Sequence, residues 1–148
     1  MLERLPDELE NLEYLTVKGT TIRELPESLG RLSWVKRLIL SNNSNLERIP
    51  ESIRHLSKLT FLFISHCERL QTLPELPCNL GLLSARNCTS LEKLPAGLSS
   101  MSSVLYVNLC NFLKLDPNEL SEIVKDGWMK HVCLLTHSFH SIFFFFLL

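Results

Sequence analysis

The sequence has no run of five or more basic residues and almost no net charge. Its 148 residues include 15 lysines and arginines and 16 aspartates and glutamates, which gives a formal net charge of −1. Proteins that bind phosphate backbones or anionic membranes through charge concentrate basic residues in one region. The composition therefore argues against nucleic acid as a partner.

The motifs of common enzyme and nucleotide-binding classes are also missing. No stretch fits the phosphate-binding loop G-x-x-x-x-G-K-[ST], and no serine lies in a nucleophile elbow. The acidic residues Glu3, Glu24, Glu47 and Glu92 recur at turn positions, where solvated charges are common. We therefore predict that the chain is not an enzyme and that it has no catalytic residues and no cofactor.

A repeated spacing of apolar residues runs through most of the chain. From Leu59 to Pro74, the sequence LTFLFISHCERLQTLP has apolar residues at positions 59, 62, 64, 67, 70 and 73. Four other segments share this spacing, and the central strand position falls at Leu15, Leu38, Leu62, Leu83 and Val107. The successive steps are 23, 24, 21 and 24 residues. This pattern is that of a leucine-rich repeat.

The repeat predicts a leucine-rich-repeat solenoid, an α/β horseshoe arc with short parallel strands on its concave face. Each unit ends in a Leu-Pro or Ile-Pro pair, which disfavours helix before the proline. The segments after Pro26 and Pro50 have apolar residues three apart, so we expect 3₁₀ or short helical turns on the convex face. A second proline, Pro77, predicts an extended stretch in the fourth unit.

We divide the chain into three parts. Residues 1–115 form about five repeats, the first of them truncated. Residues 116–130 form a C-terminal cap helix, because Asp116, Pro117 and Glu119 fit the start of a helix that runs from about Pro117 to Met129. Residues 131–148 form a hydrophobic tail.

The two ends of the chain depart from the repeat in different ways. Met1 stands inside a repeat whose strand is missing, and no polar cap covers that repeat, so we expect a fragment. The tail has no formal charge from Val132 to Leu148 and is slightly shorter than a membrane span. We expect it to be disordered or non-native; a tail anchor in a membrane is the alternative.

The cysteines favour a reducing compartment. Cys67 and Cys88 occupy matching positions in two repeats, and the total of five is odd, so we predict reduced core thiols rather than disulfides. This favours the cytoplasm or the nucleus. Cys133, His137 and His140 have the spacing of metal ligands, but they lie in the tail without a fourth ligand, so we predict no metal site.

The strand residues between the buried leucines are the candidate protein-binding surface. On the concave face we expect columns of exposed side chains, in which aromatic residues and arginine are typical of protein hot spots. The predicted binding residues are Tyr14, Thr16, Lys18, Arg37, Ile39, Phe61, Phe63, His66, Leu82, Arg86, Tyr106 and Asn108. The alternative is that strand propensity alone selects these residue types.

The repeats resemble those of a known receptor family. The unit L-x-x-L-x-L-x-x-C-x-x-L-x-x-L-P occurs from Leu59 to Pro74 and, with alanine as the third apolar residue, from Leu80 to Pro95. With the shortened unit from Val17 to Pro26 and the closing segment from Asn111 to Asp116, it resembles the C-terminal repeats of plant intracellular immune receptors. The likeness is to the class with a TIR domain and a nucleotide-binding domain ahead of the repeats, and it covers residues 1–130.

This resemblance implies a module that senses a pathogen effector or a modified host protein. It also implies that the module holds a nucleotide-binding domain inactive until then and so contributes to defence signalling. The chain itself has neither the phosphate loop nor a TIR segment, so the nucleotide switch cannot be assigned to these residues. The alternative within binding is a stand-alone intracellular repeat scaffold.

Overall fold

A computed structural model describes residue 9, residues 11–95, residue 98, residues 106–111, residues 114 and 118, and the strands at 131–135 and 142–146. In chain order the strands are β1 Tyr14–Thr16, β2 Arg37–Ile39, β3 Phe61–Phe63, β4 Leu82–Ser84, β5 Tyr106–Asn108, β6 His131–Leu135 and β7 Ile142–Phe146. They form one sheet in that same order. Strands β1 to β6 pair with one another in parallel, and β7 pairs antiparallel with β6.

The pairing of the first five strands confirms the predicted repeat register. Leu15 pairs with Leu38, Leu38 with Leu62, Leu62 with Leu83, and Leu83 with Val107. These residues are fully buried from Leu38 onward, whereas Leu15 in β1 is half-buried. Each repeat therefore advances the chain by one strand, as a solenoid requires.

The core is a single column of stacked aliphatic side chains. Each repeat adds the apolar residues after its strand to the cluster, so Ile64, Leu70 and Leu73 from the third repeat lie against their counterparts in the neighbouring repeats. Since each unit buries its apolar side only against its neighbours, the stability of one repeat depends on the next.

Two 3₁₀ helices lie on the side of the solenoid away from the sheet. They span Glu27–Arg31 and Glu51–His55, directly after Pro26 and Pro50, and each buries one aliphatic residue. Both prolines are in the extended conformation, so each proline ends one unit and begins the turn of the next. The segment between Leu73 and Leu80 has no helix, in agreement with the effect expected of Pro77.

Gly30 allows the two 3₁₀ helices to approach closely, a role that the sequence does not reveal. A Cβ added at Gly30 would lie 2.6 Å from the Cβ of Ser52 and 2.8 Å from its carbonyl oxygen. We predict that Gly30→Ala lowers the free energy of unfolding by about 1–3 kcal/mol, since the backbone would have to move apart. Chemical denaturation measures this loss.

A double-mutant cycle identifies the cause of that loss. Ser52→Gly removes the Cβ at 2.6 Å but leaves the carbonyl oxygen in place, so it should recover part of the loss in the Gly30→Ala background. If the two changes are strictly additive, the contact with Ser52 is not what makes alanine unfavourable.

The tail forms strands that the sequence does not predict, and most of the predicted cap helix lies outside the described residues. Where the sequence leads us to expect a disordered or non-native tail, the backbone forms β6 and β7 and extends the sheet. The predicted cap helix from Pro117 to Met129 lies outside the described residues except for Asn118, which is helical. Within the described ranges, no helix is both long and apolar enough to cross a membrane.

Candidate functional site

The sheet face opposite the leucine core carries most of the predicted binding residues. We call it the open face; it consists of the flanking residues of β1 to β5, which are Tyr14, Thr16, Arg37, Ile39, Phe61, Phe63, Leu82, Ser84, Tyr106 and Asn108. All ten are exposed or half-buried, while the residue between each pair points into the core. Strand alternation thus places nine of the twelve predicted residues on one surface.

Arg37 lies between two aromatic rings in the first column of this face. The register places it beside Tyr14 on one side and Phe61 on the other. Its guanidinium carbon is 5.7 Å from the centre of the Tyr14 ring and 5.1 Å from that of Phe61. Cation–π contacts at these distances hold a long, flexible side chain in place. The column continues with Leu82 and Tyr106.

The remaining three predicted residues lie just beyond the carboxyl ends of the strands. Lys18 and Arg86 are exposed and stand two positions after β1 and β4 respectively, whereas His66 is an exposed residue of the turn after β3. Between them, the hydroxyls of Ser65 and Ser84 are 3.1 Å apart and hydrogen-bonded. The open face is therefore bordered on this side by polar groups.

The turn after each of the strands β1 to β5 contains a residue in the left-handed backbone conformation. These residues are Gly19, Asn42, His66, Asn87 and Asn111, with φ between 57° and 65°. Glycine and asparagine adopt this conformation most readily, which explains four of the five. The Asn87 amide contacts the His66 ring and accepts a hydrogen bond from the Asn111 amide, so these side chains form a row that positions His66.

A buried polar position follows this turn and fixes the strand ends. Asn43 is fully buried; its Nδ2 donates to the carbonyl oxygens of Val17 (2.6 Å) and Leu40 (2.8 Å). Its Oδ1 accepts from the backbone N–H of Thr20 (2.7 Å) and from the hydroxyl of Thr20 (2.8 Å). One side chain thus supplies hydrogen-bond partners to three backbone groups at the end of the strands.

Cysteine takes the same position in the next two repeats. Cys67 donates its thiol to the carbonyl oxygen of Leu40 (3.3 Å), and Cys88 donates to that of Ile64 (3.0 Å). Burial raises the pKa of Cys67 to about 11 and that of Cys88 to about 12. The two free thiols are therefore protonated near neutral pH and serve as core residues, as predicted.

Sequence reasoning missed a second aromatic contact beside the sheet. Trp34, which precedes the buried Val35, is 49% exposed, and the Lys58 ammonium lies 5.8 Å from its ring centre. Trp34 stands outside the strand columns, so the repeat pattern alone could not assign it to a surface.

An ion pair lies next to β1 and β2. Lys36 donates to Glu13 at 2.8 Å, and this bond raises the pKa of Lys36.

A groove of about 770 Å³ lies on another side of the solenoid. Its lining includes four glutamates, Glu24, Glu27, Glu47 and Glu51, with Arg48 as the basic residue among them. The groove follows the proline-containing turns, and short parallel bridges such as that of Glu24 with Arg48 connect successive repeats there.

Comparison with known proteins agrees with this architecture. The model of a family described as leucine rich repeat matches residues 8–68, which include β1 to β3. A search of curated proteins found no match. The match and the parallel sheet together support a leucine-rich-repeat protein, a class whose domains generally mediate protein–protein recognition.

Proposed function

We propose that this chain is a non-enzymatic recognition module that binds another protein through the open face of its sheet. The observation that carries the proposal is the row of accessible aromatic, aliphatic and arginine side chains across β1 to β5. Soluble proteins generally keep such side chains apart unless a partner covers them.

The stacking around Arg37 makes this row suitable for binding. Tyrosine, tryptophan and arginine dominate the energetic centres of protein interfaces. A side chain that is already held between two rings loses less conformational freedom when a partner orders it. The Tyr14–Arg37–Phe61 stack therefore contributes a preorganised contact surface.

A binding test follows from the two phenylalanines that flank the buried Leu62. Changing Phe61 and Phe63 to serine should preserve the fold, since both rings are only half-buried, but should weaken binding about 10-fold or more. A polypeptide probe can be selected from a library of random displayed peptides, and its affinity for each variant measured by fluorescence anisotropy.

The matched control is His55→Ser, which removes an exposed ring from the 3₁₀ helix Glu51–His55. It should leave the affinity unchanged. Equal affinity for the double serine variant and the parent chain would contradict binding by the open face. Loss of folding in the serine variant would place the rings in the core instead.

We further propose that the module is the C-terminal repeat region of a plant innate immune receptor of the TIR and nucleotide-binding class. Its resemblance in the Leu59–Pro74 and Leu80–Pro95 units supports this proposal. Its partner would then be a pathogen effector or a host protein, with the receptor's own nucleotide-binding domain as an internal partner in the inactive state. The protein would act in the cytoplasm or the nucleus.

Sequencing of full-length transcripts tests this origin. Reads that continue upstream into segments for a nucleotide-binding domain and a TIR domain, and that remove the Phe-rich end by splicing, would support the receptor. Reads that start at Met1 and keep residues 131–148 would favour a stand-alone repeat scaffold, and would make membrane attachment through the tail a question for fractionation.

A further inference from the structure

Charge is unevenly distributed over the described surface. The open face and the positions just beyond its strands contain the cations Arg37, Lys18 and Arg86, but no acidic residue. Glu13, which directly precedes β1 at the other end of the strands, forms an ion pair with Lys36. Among the described residues, none of the three cations has a carboxylate within the 4.0 Å that defines an ion pair.

Half of the described acidic residues lie together elsewhere. Four of the eight glutamates that the structure describes line the groove along the proline-containing turns, where Arg48 is the one basic residue among the described lining. Because the open face has the three cations at its strands and strand ends and no carboxylate among them, it is basic. A partner of opposite charge would be attracted to that face and kept away from the groove.

On this basis we infer that the open face binds an acidic polypeptide segment that also carries aromatic or aliphatic side chains. The inference rests on the proposed function and specifies the chemistry of the partner. The apolar side chains of the partner would lie on Phe61, Phe63 and Leu82, which form a continuous half-buried patch across β3 and β4. Its carboxylates would pair with the three cations.

The spacing of the cations sets the length of that segment. Lys18 follows β1 and Arg86 follows β4, so three strand spacings of about 4.8 Å, or about 14 Å, separate them. An extended chain covers this distance with about four or five residues, at roughly 3.3 Å per residue. We therefore expect two acidic residues about four or five positions apart, with apolar residues between them.

Selection from a library of random displayed peptides tests the inference, with the complete chain as bait. Selected peptides should be enriched in aspartate and glutamate around an aromatic or aliphatic residue. Their affinity should fall about 10-fold or more in Arg37→Gln, and by a similar factor in the double variant Lys18→Gln/Arg86→Gln. Their association rate should fall steeply as salt increases.

Arg54→Gln is the matched control, because it removes one positive charge from the 3₁₀ helix on the opposite side of the solenoid. Its affinity for the selected peptides should equal that of the parent chain. A duplex DNA oligonucleotide serves as the second control. Binding of DNA as tight as that of the peptides would overturn the inference, since it would reflect attraction to anions in general.

The possible results separate the two proposals. In one outcome, the selected peptides lose affinity for Phe61→Ser/Phe63→Ser but bind Arg37→Gln normally and show no enrichment in acidic residues. That result would overturn the inference of an acidic partner and leave the proposed protein recognition intact. Peptides that bind every open-face variant normally, or a library that yields no binder, would contradict both. Circular dichroism of each variant ensures that a lost affinity is not a lost fold.

Discussion

Replacing Leu62 with aspartate is expected to unfold the chain at 25 °C. Leu62 is fully buried in β3, with Leu38 and Leu83 as its neighbours in the adjacent strands. The substitution removes apolar contacts and places a carboxylate where no cation can pair with it. The cost is about 4 kcal/mol or more, which is comparable with the whole stability of a small domain. Circular dichroism and thermal melting measure this effect.

Thr16→Asp is the matched control for the leucine substitution. It introduces the same carboxylate into a strand, but on the open face, where Thr16 is exposed. Its melting temperature should stay close to that of the parent chain. If Leu62→Asp melted like the control, the assignment of core and open faces in β3 would be reversed.

The second large effect is expected from Asn43→Leu. The two side chains have the same number and branching of heavy atoms, but leucine cannot replace the bonds to Val17, Leu40 and Thr20. The Val17 carbonyl and the Thr20 N–H would lose this partner, at about 1–3 kcal/mol for each unsatisfied group, while the Leu40 carbonyl would keep only the Cys67 thiol. We therefore expect the free energy of unfolding to fall by about 3 kcal/mol or more, as measured by urea denaturation.

The chain itself suggests the control for this substitution. Cys67 and Cys88 occupy the matching position and donate to the residue just after the strand of the preceding repeat. Asn43→Cys should therefore keep the bond to Val17 and lose the others. Its stability should lie between those of the parent chain and Asn43→Leu. Equal stability of all three proteins would mean that the buried asparagine does not stabilise the strand ends.

The sequence predicts the repeated architecture well, because the same physical constraint recurs in every unit. A strand whose central residue must reach the core recurs every 21 to 24 residues, and five copies fix the register from Leu15 to Val107. The proline pairs similarly predict the positions of the 3₁₀ helices Glu27–Arg31 and Glu51–His55. These features depend on local spacing, which a sequence displays directly.

Contacts between repeats are harder to predict, because they depend on distances across the sheet. The columns place Arg37 between Tyr14 and Phe61, but only the structure shows that its guanidinium lies over both rings. The contact of Lys58 with Trp34 lies outside the strand columns. The close approach at Gly30 depends on the separation of two helices, about which residue spacing contains no information.

The strands of the tail illustrate a different limit. Residues 131–148 do not continue the repeat, so the periodicity that predicts β1 to β5 gives no expectation for β6 and β7. A run of phenylalanines is compatible with a strand, a membrane segment or a disordered end, and propensity alone does not choose among them.

Hydroxyl-radical footprinting tests most directly whether the open face is the binding surface. The oxidation rates of individual side chains are measured by mass spectrometry, with and without a saturating peptide selected on the chain. The account predicts that Tyr14, Phe61 and Phe63 react more slowly in the complex, while His55 on the opposite side reacts at an unchanged rate. Unchanged rates at the three open-face rings, with protection of His55, would contradict it.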